Sequence, residues 1–179
     1  MSENPIHLRM ACKADAPRLE PLVQRAVSEL LAPFLSTAQV QASREIMGLD
    51  TQLIADGTYF IAEIEGELAG CGGWSRRATH FGGDHSPGRD ARALDPIKES
   101  ARVRAMYTHP GFARRGIGRA ILGRCEQSAA AEGFKTMAIV ATLAGMPLYR
   151  ACGYEEFERF DEMTPSGISV PLVRMRREL

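Results

Sequence analysis

Residues 106–119, MYTHPGFARRGIGR, carry the strongest structural signal in the chain. They end the run ARVRAMYT, which predicts a strand; a Pro-Gly dipeptide then predicts a turn, and a helix begins at about Gly116. At such a helix start, several backbone N–H groups have no acceptor within the helix and lie at the positive end of its dipole. Gly116 and Gly118 also lack side chains that would keep an anion away. The segment therefore predicts a phosphate-binding site.

Two common phosphate-binding motifs are excluded by single residues. Gly111 and Gly116 have the spacing of a P-loop, but Ile117 stands where that motif needs Lys and Gly118 where it needs Ser or Thr. A dinucleotide-binding fold needs a third glycine at the position of Ile121, in a motif near the start of its domain. This motif lies past the middle of the chain, so neither a nucleotide triphosphatase nor a dinucleotide enzyme is expected.

Charge is balanced over the whole chain but not around this motif. The chain has 22 Lys and Arg against 22 Asp and Glu, which argues against nucleic acid or a membrane surface as a partner. Between residues 100 and 125 there is no acid, but there are six arginines: Arg102, Arg104, Arg114, Arg115, Arg119 and Arg124. This local excess favours a multiply charged small ligand, although Arg119 and Arg124 also suit a solvated helix face.

Length and composition predict one globular domain covering residues 1–179, with 45% hydrophobic and 25% charged residues. No apolar run approaches the ~20 residues of a membrane span, and the first residues lack the pattern of a secretory signal. We therefore expect a cytoplasmic protein. Its four scattered cysteines contain no C-x-x-C pair, so neither a metal site nor a disulfide framework is expected.

Periodicity and turn residues predict the remaining elements. Before the motif they are a strand at 6–11, a helix from Asp15 to about Pro33, a helix capped by Thr37 and running to about Leu49, and a hairpin of strands 58–64 and 67–74. After the hairpin, residues 76–100 predict a working loop or a disordered segment. Then come a strand at 101–108, a helix at 116–131 with Ile117, Ile121, Cys125 and Ser128 on one face, a strand at 134–142, a helix at 147–152, and strands at 154–163 and 168–177. The strands flanking the 116–131 helix should be parallel.

Two motifs resemble those of the GNAT superfamily of N-acetyltransferases. Ala113–Gly118 is similar to its pyrophosphate-binding pattern Q/R-x-x-G-x-G/A, with Ala113 in place of the first Gln or Arg. Leu148–Tyr154 is similar to its pattern L-Y-x-x-x-G-[FY], and the resemblance extends from Ile6 to Arg159. It implies an α/β (mixed α+β) fold: a central twisted sheet of six to seven strands, about four helices on both faces, and splayed parallel strands at the cofactor site.

The resemblance implies transfer of acetyl from acetyl-CoA to a primary amine of a small molecule, by direct attack and without a metal. Tyr149 would be the general acid. The cofactor would be bound by Met106, Tyr107, Thr108, Arg114, Arg115, Gly116, Ile117, Gly118, Arg119 and Thr142. Met106 and Tyr107 also suit plain core packing. A homodimer is one state that the resemblance allows.

The general base is left open by the sequence, because Arg102 stands where some relatives have a Glu. The candidate proton acceptors are Glu99, Asp84, His80 and His85, and three of them, His80, Asp84 and His85, are also a weak candidate for a metal site. The missing Glu motivates a second function class, a non-catalytic CoA-binding or acyl-CoA-binding regulatory or sensor module. Two more residues have open roles: Cys71 as a nucleophile or a buried residue of a bulged strand, and Trp74 as an acceptor contact or a packing anchor.

Overall fold

A seven-stranded sheet is the centre of the computed structural model, which describes residues 5–179. In chain order its strands are β1 (His7–Met10), β2 (Tyr59–Ile64), β3 (Glu67–Ser75), β4 (Ala101–Thr108), β5 (Thr136–Thr142), β6 (Glu155–Met163) and β7 (Ser169–Glu178). The spatial order is β1-β2-β3-β4-β5-β7-β6. Every neighbouring pair is antiparallel except β4 with β5, the two strands that the sequence predicted to be parallel.

Helices cover both faces of this sheet. They are α1 (Ala16–Leu30), α2 (Thr37–Ile46), α3 (Thr51–Ala55), α4 (Ile117–Ala131) and α5 (Met146–Ala151). Alternate residues of β5 separate the two sides: Met137 and Ala141 share a core with α4 and α5, whereas Val140 packs with α2. We call these sides the α4 face and the α2 face. The predicted mixed α+β class is confirmed.

The two longest helices each bury one apolar stripe. In α1 the buried positions have the predicted spacing of three and four residues: Leu19, Leu22, Val23, Ala26 and Val27. In α4 the predicted Ile117, Ile121 and Cys125 are buried, but the stripe continues at Ala129, and Ser128 is only half-buried. No helix within residues 5–179 is both long enough and apolar enough to cross a membrane.

The second helix begins and ends at other residues than the sequence predicted. Ser36, not Thr37, is its N-cap: the Ser36 Oγ accepts a hydrogen bond from the Gln39 N–H at 3.2 Å, and the Gln39 Oε1 accepts one from the Ser36 N–H at 3.1 Å. This reciprocal pair is a capping box. The helix stops at Ile46, because the next residue has an extended backbone, and the short α3 that follows was not predicted.

The long connection between β3 and β4 is folded rather than disordered. Residues 76–79 pair with residues 90–94 through backbone hydrogen bonds of 2.8–2.9 Å. The Arg77 guanidinium donates two further bonds, of 2.7 and 2.8 Å, to the Asp56 carboxylate. This pairing returns the loop to the sheet and places His80 beside β4 and β5.

Candidate active site

The parallel strands β4 and β5 separate soon after they begin. They are paired only at Ala101 with Met137 and at Arg102 with Ala138. Beyond these pairs, a cleft of about 110 Å³ opens between residues 103–107 of β4 and residues 139–142 of β5. The β4 backbone along this cleft therefore has no neighbouring strand on its β5 side.

A bulge in β4 lies beside this cleft. Cys71 of β3 pairs with Tyr107 and Gly73 pairs with Arg104, so one residue of β3 faces two residues of β4, Ala105 and Met106. Ala105 has a φ of +50°, which is unusual for a residue with a side chain, and its carbonyl accepts a hydrogen bond of 2.9 Å from the Tyr59 hydroxyl. The β3 residue opposite is glycine, and a Cβ there would collide with the Met106 sulfur.

The start of α4 exposes backbone donors at one end of the molecule. Its N-cap, Gly116, has a φ of +80°, and no side chain caps the helix. The first hydrogen bond of the helix runs from the Ala120 N–H to the Gly116 carbonyl, so the N–H groups of residues 117–119 have no acceptor within the helix. Arg114, Arg115 and Arg119 surround this end with exposed side chains. The arrangement suits a phosphate or diphosphate group.

Tyr149 of α5 closes one side of the cleft. Its side chain is buried, and its ring packs edge-to-face on Tyr154 with the ring centres 5.8 Å apart. Burial raises the pKa of the Tyr149 phenol above its ordinary value, because the charged form would lose hydration. A phenol is protonated at neutral pH in any case, and burial extends the protonated state to higher pH.

The sequence pattern of the Acetyltransferase (GNAT) domain matches residues 55–156, more than half of the 179-residue chain. The chain belongs to the GNAT acetyltransferase family. The matched residues include β4, the bulge, the start of α4 and Tyr149, which together form the features described above.

Solved structures of GNAT enzymes share this fold. A GCN5-related N-acetyltransferase from Rhodopseudomonas palustris superposes with a TM-score of 0.74 at 18% identity, over 100% of this chain and 99% of that one. A phosphinothricin acetyltransferase from Sinorhizobium meliloti, solved with acetyl-CoA, gives 0.65 at 20% identity over 97% and 88% of the two chains. An N-acetyltransferase from Thermoplasma acidophilum, solved with coenzyme A, superposes with a TM-score of 0.64 at 12% identity, over 98% of this chain and 99% of that one. No curated protein sequence matches the chain.

All but one of the predicted site residues of this GNAT domain lie either along the cleft or at the start of α4. Met106, Tyr107, Thr142 and Tyr149 line the cleft, and residues 114–119 form the start of α4. Thr142 is partly engaged, because its Oγ1 accepts a hydrogen bond of 3.1 Å from the Gly145 N–H. Thr108 does not line the cleft; it lies at the end of β4, paired with Gly70.

Of the four candidate bases, only His80 lines the cleft. Asp84 is bound to the Thr51 N–H and hydroxyl at 3.0 and 2.8 Å, and His85 lies 2.7 Å from the Arg44 carbonyl. Glu99 is held by the Arg92 guanidinium through bonds of 2.9 and 3.0 Å. Within residues 5–179, no three acid, His or Cys side chains meet in a way that could hold a metal, so His80, Asp84 and His85 do not form such a site.

The six arginines near the motif do not act as one cluster, which corrects the interpretation of their local excess. Arg114, Arg115 and Arg119 lie at the start of α4, and Arg102 and Arg104 lie on β4. Arg124 lies farther along α4, over the Phe60 ring. Arg104 is buried and forms an ion pair of 2.5 Å with Asp50, and it also donates a bond of 2.8 Å to the Gly82 carbonyl. This Asp50–Arg104 pair ties the α2–α3 connection and the long loop to the edge of the cleft. No pattern in the sequence predicted this pair.

Two open roles are decided by burial. Cys71 is fully buried, and burial raises the pKa of its thiol to about 12, so it stays protonated and is no nucleophile. Trp74 is also fully buried and packs edge-to-face on Phe134 at 5.8 Å. It is therefore a packing anchor rather than a contact for an acceptor.

Proposed function

We propose that this GNAT domain is an acetyl-CoA-dependent N-acetyltransferase that modifies a primary amine of a small molecule, acting as a single domain in the cytoplasm. The observation that carries the proposal is the cleft between β4 and β5, which has a free strand edge on one side and the protonated Tyr149 on another. Family membership supports acyl transfer, and the start of α4 supports a ligand with phosphate groups.

The residues present fit both ends of the coenzyme. The free N–H groups of residues 117–119, together with Arg114, Arg115 and Arg119, would bind the diphosphate through hydrogen bonds and opposite charge. The unpaired edge of β4 at Met106 and Tyr107 would bind the amide-containing arm as an added strand, with Thr142 on the opposite side. When bound, acetyl-CoA supplies an activated thioester.

The β4 bulge offers a donor where negative charge develops. Tyr59 holds the Ala105 carbonyl, so the backbone at Met106 is fixed before any ligand binds. The Met106 N–H would donate a hydrogen bond to the thioester oxygen as the amine attacks. One such preorganised donor contributes about 3–4 kcal/mol in comparable enzymes.

Two side chains would move the protons. An attacking ammonium loses two protons overall: His80 takes one and passes it to solvent, and the other replaces the proton that Tyr149 gives to the leaving sulfur. Partial desolvation and the neighbouring Arg102, Arg174 and Arg104 lower the pKa of His80, so its ring is neutral at pH 7 and can accept a proton.

Thiol release from acetyl-CoA, measured over a broad panel of primary amines, tests the proposal. We expect release that depends on both substrates and that gives one N-acetylated product by mass spectrometry. Calorimetric titration with CoA is the companion measurement. Binding of CoA without turnover of any amine would contradict acetyl transfer and favour the regulatory or sensor module instead.

A further inference from the structure

A second pocket adjoins the cleft on the α2 face of the sheet. Its volume is about 50 Å³, and His80, Ile139 and Val140 line both it and the cleft. Arg102 and Arg174 provide its charged walls. Arg174 pairs with Val140 of β5, and Arg102 pairs with Ala138 of β5. Because Ala138 and Val140 are two residues apart, they point to the same side of the sheet, so both arginines lie on the α2 face. The diphosphate site belongs to α4, on the other face.

Arg102 is a cation without a protein partner. It forms no ion pair with an acid of residues 5–179, and its buried Nε–H has no hydrogen-bond acceptor there. Glu99 is the acid whose charge acts most on Arg102, but the Glu99 carboxylate is already bound by Arg92 at 2.9 and 3.0 Å. Arg102 is half-buried, and a cation that has lost part of its hydration is stabilised when an anion pairs with it.

Arg174 brings a second guanidinium to the same pocket. Its Nε–H is also buried without an acceptor, while one of its terminal nitrogens lies 3.3 Å from Glu158 at the surface. Two guanidinium groups, each with a donor still free, match the flat, two-oxygen geometry of a carboxylate. The volume of about 50 Å³ also suits a group of roughly three or four heavy atoms, because one water needs about 10–15 Å³.

We propose that the acceptor is an amino carboxylic acid whose carboxylate binds between Arg102 and Arg174. The inference rests on the proposed function, since it concerns the amine that takes the acetyl group. His80 lies where the pocket meets the cleft, so an acid bound here has its amine beside His80 when only a short carbon chain separates the two groups. Arg102 then has a binding role at the position where some relatives carry a glutamate.

Matched acceptors test this role. Each standard amino acid with a primary amine is compared with its carboxamide, which keeps the side chain but lacks the carboxylate charge. Thiol release gives kcat/KM for each, expressed per free amine because the amide's amine is the less basic of the two. We expect at least one acid to exceed its amide by about 10- to 100-fold, the range for a hydrogen bond to a charged group. At about pH 8, where His80 is neutral with or without the Arg102 charge, Arg102→Gln should lower kcat/KM for that acid by a similar factor and leave the amide within about twofold. Arg159→Gln, which removes an exposed arginine outside the pocket, is the control and should change neither.

Equal rates for acids and amides, or an equal loss of both in Arg102→Gln, would overturn the inference while leaving acetyl transfer intact. A second readout does not depend on turnover. The Arg102 Nε–H signal in a ¹⁵N NMR spectrum, assigned by its loss in Arg102→Gln, should shift saturably with a pool of the amino acids and not with a pool of the amides.

An unchanged Arg102 Nε–H signal, or the same shift with both pools, would refute the pocket's role. If no amine is acetylated, the proposed function fails, and this wild-type titration still decides on the pocket. If Arg102→Gln does not fold, the wild-type titration still tests the pocket. The Arg102 Nε–H signal is then assigned with selective ¹⁵N labelling and Arg102→Lys.

Discussion

Burial determines the chemistry of single residues in the cleft. Burial raises the pKa of the Tyr149 phenol, whereas partial desolvation and three nearby arginines lower the pKa of His80, so both side chains are neutral at pH 7. In the proposed mechanism, Tyr149 donates a proton and His80 accepts one. Neither pKa shift follows from the sequence spacing of these residues, because the groups that cause the two shifts come from several helices and strands.

Replacing Tyr149 with Phe tests the proposed acid. The ring and its packing on Tyr154 remain, but the hydroxyl is lost, so kcat should fall by about 10²-fold or more, with little change in CoA affinity. Stopped-flow thiol release and calorimetry measure the two quantities. Tyr154→Phe is the matched control, since that hydroxyl does not line the cleft, and its kcat should stay within about twofold. Equal kcat values for all three proteins would remove Tyr149 from the mechanism.

The proposed base has a pH signature. Because the base must be neutral, kcat/KM should fall as pH drops through the pKa of His80, which lies below the ordinary value of about 6.5. His80→Gln should lower kcat/KM by about 10²-fold at pH 7 and abolish this acidic limb. His85→Gln, which alters the histidine at the Arg44 carbonyl, should leave the profile unchanged. A His80→Gln enzyme with the wild-type profile would show that another group, or water, takes the proton.

At the scale of elements, short-range signals predicted the structure well. Three predicted features depend only on residues that are close together in the sequence. They are the apolar stripes of α1 and α4, the hairpin of β2 and β3, and the start of α4 at Gly116. The Ser36 cap of α2 was also visible as S-x-x-Q, but the prediction took the neighbouring Thr37. α3 has only five residues, too few for periodicity to show.

Long-range pairings explain what the sequence could not predict. The Asp50–Arg104 ion pair joins residues 54 positions apart, and Arg102 and Arg174 are brought together only because both of their strands pair with a third strand, β5. The same applies to His80: only the folded loop distinguishes it from Asp84, His85 and Glu99. Residue type and spacing predicted a phosphate site at the start of α4, whereas the acceptor side could be proposed only from the three-dimensional fold.

The start of α4 can be tested with a pair of glycine variants. Gly116 and Gly167 have nearly equal φ values, +80° and +81°, and a Cβ at either would meet no atom closer than 3.9 Å. Each Ala substitution should therefore cost about 1–2 kcal/mol of stability through backbone strain. Only Gly116→Ala should also weaken CoA binding, by about tenfold or more, as measured by calorimetry. Equal CoA affinity in the two variants would separate the start of α4 from the coenzyme.

At the scale of the whole molecule, one buried carboxylate makes stability depend on pH. Asp15 accepts hydrogen bonds of 2.7 and 2.8 Å from Arg9 and one of 2.9 Å from the Cys12 N–H. The Arg9 bonds are the main reason that the pKa of Asp15 lies far below its ordinary value. They join β1 to the turn before α1. This stabilisation is present above the unfolded pKa of about 4 and is lost as the pH falls below it.

Asp15→Asn should therefore destabilise the protein by about 1–3 kcal/mol at pH 7, because Arg9 loses its charged partner. The difference from wild type should shrink steadily below about pH 4, where Asp15 in the unfolded chain is protonated. Urea unfolding at several pH values measures it, and the exposed Asp161→Asn is the control. A difference that stays constant from pH 7 to pH 2.5 would mean that the Asp15 charge does not stabilise the fold.

The crystal structure of the protein grown with CoA tests the central claim most directly. The diphosphate should lie within hydrogen-bonding distance of the main-chain nitrogens of residues 117–119, with the arm of the coenzyme along residues 106–107 and its sulfur next to the Tyr149 hydroxyl. Density for the diphosphate away from α4, or an arm that does not enter the gap between β4 and β5, would contradict this account.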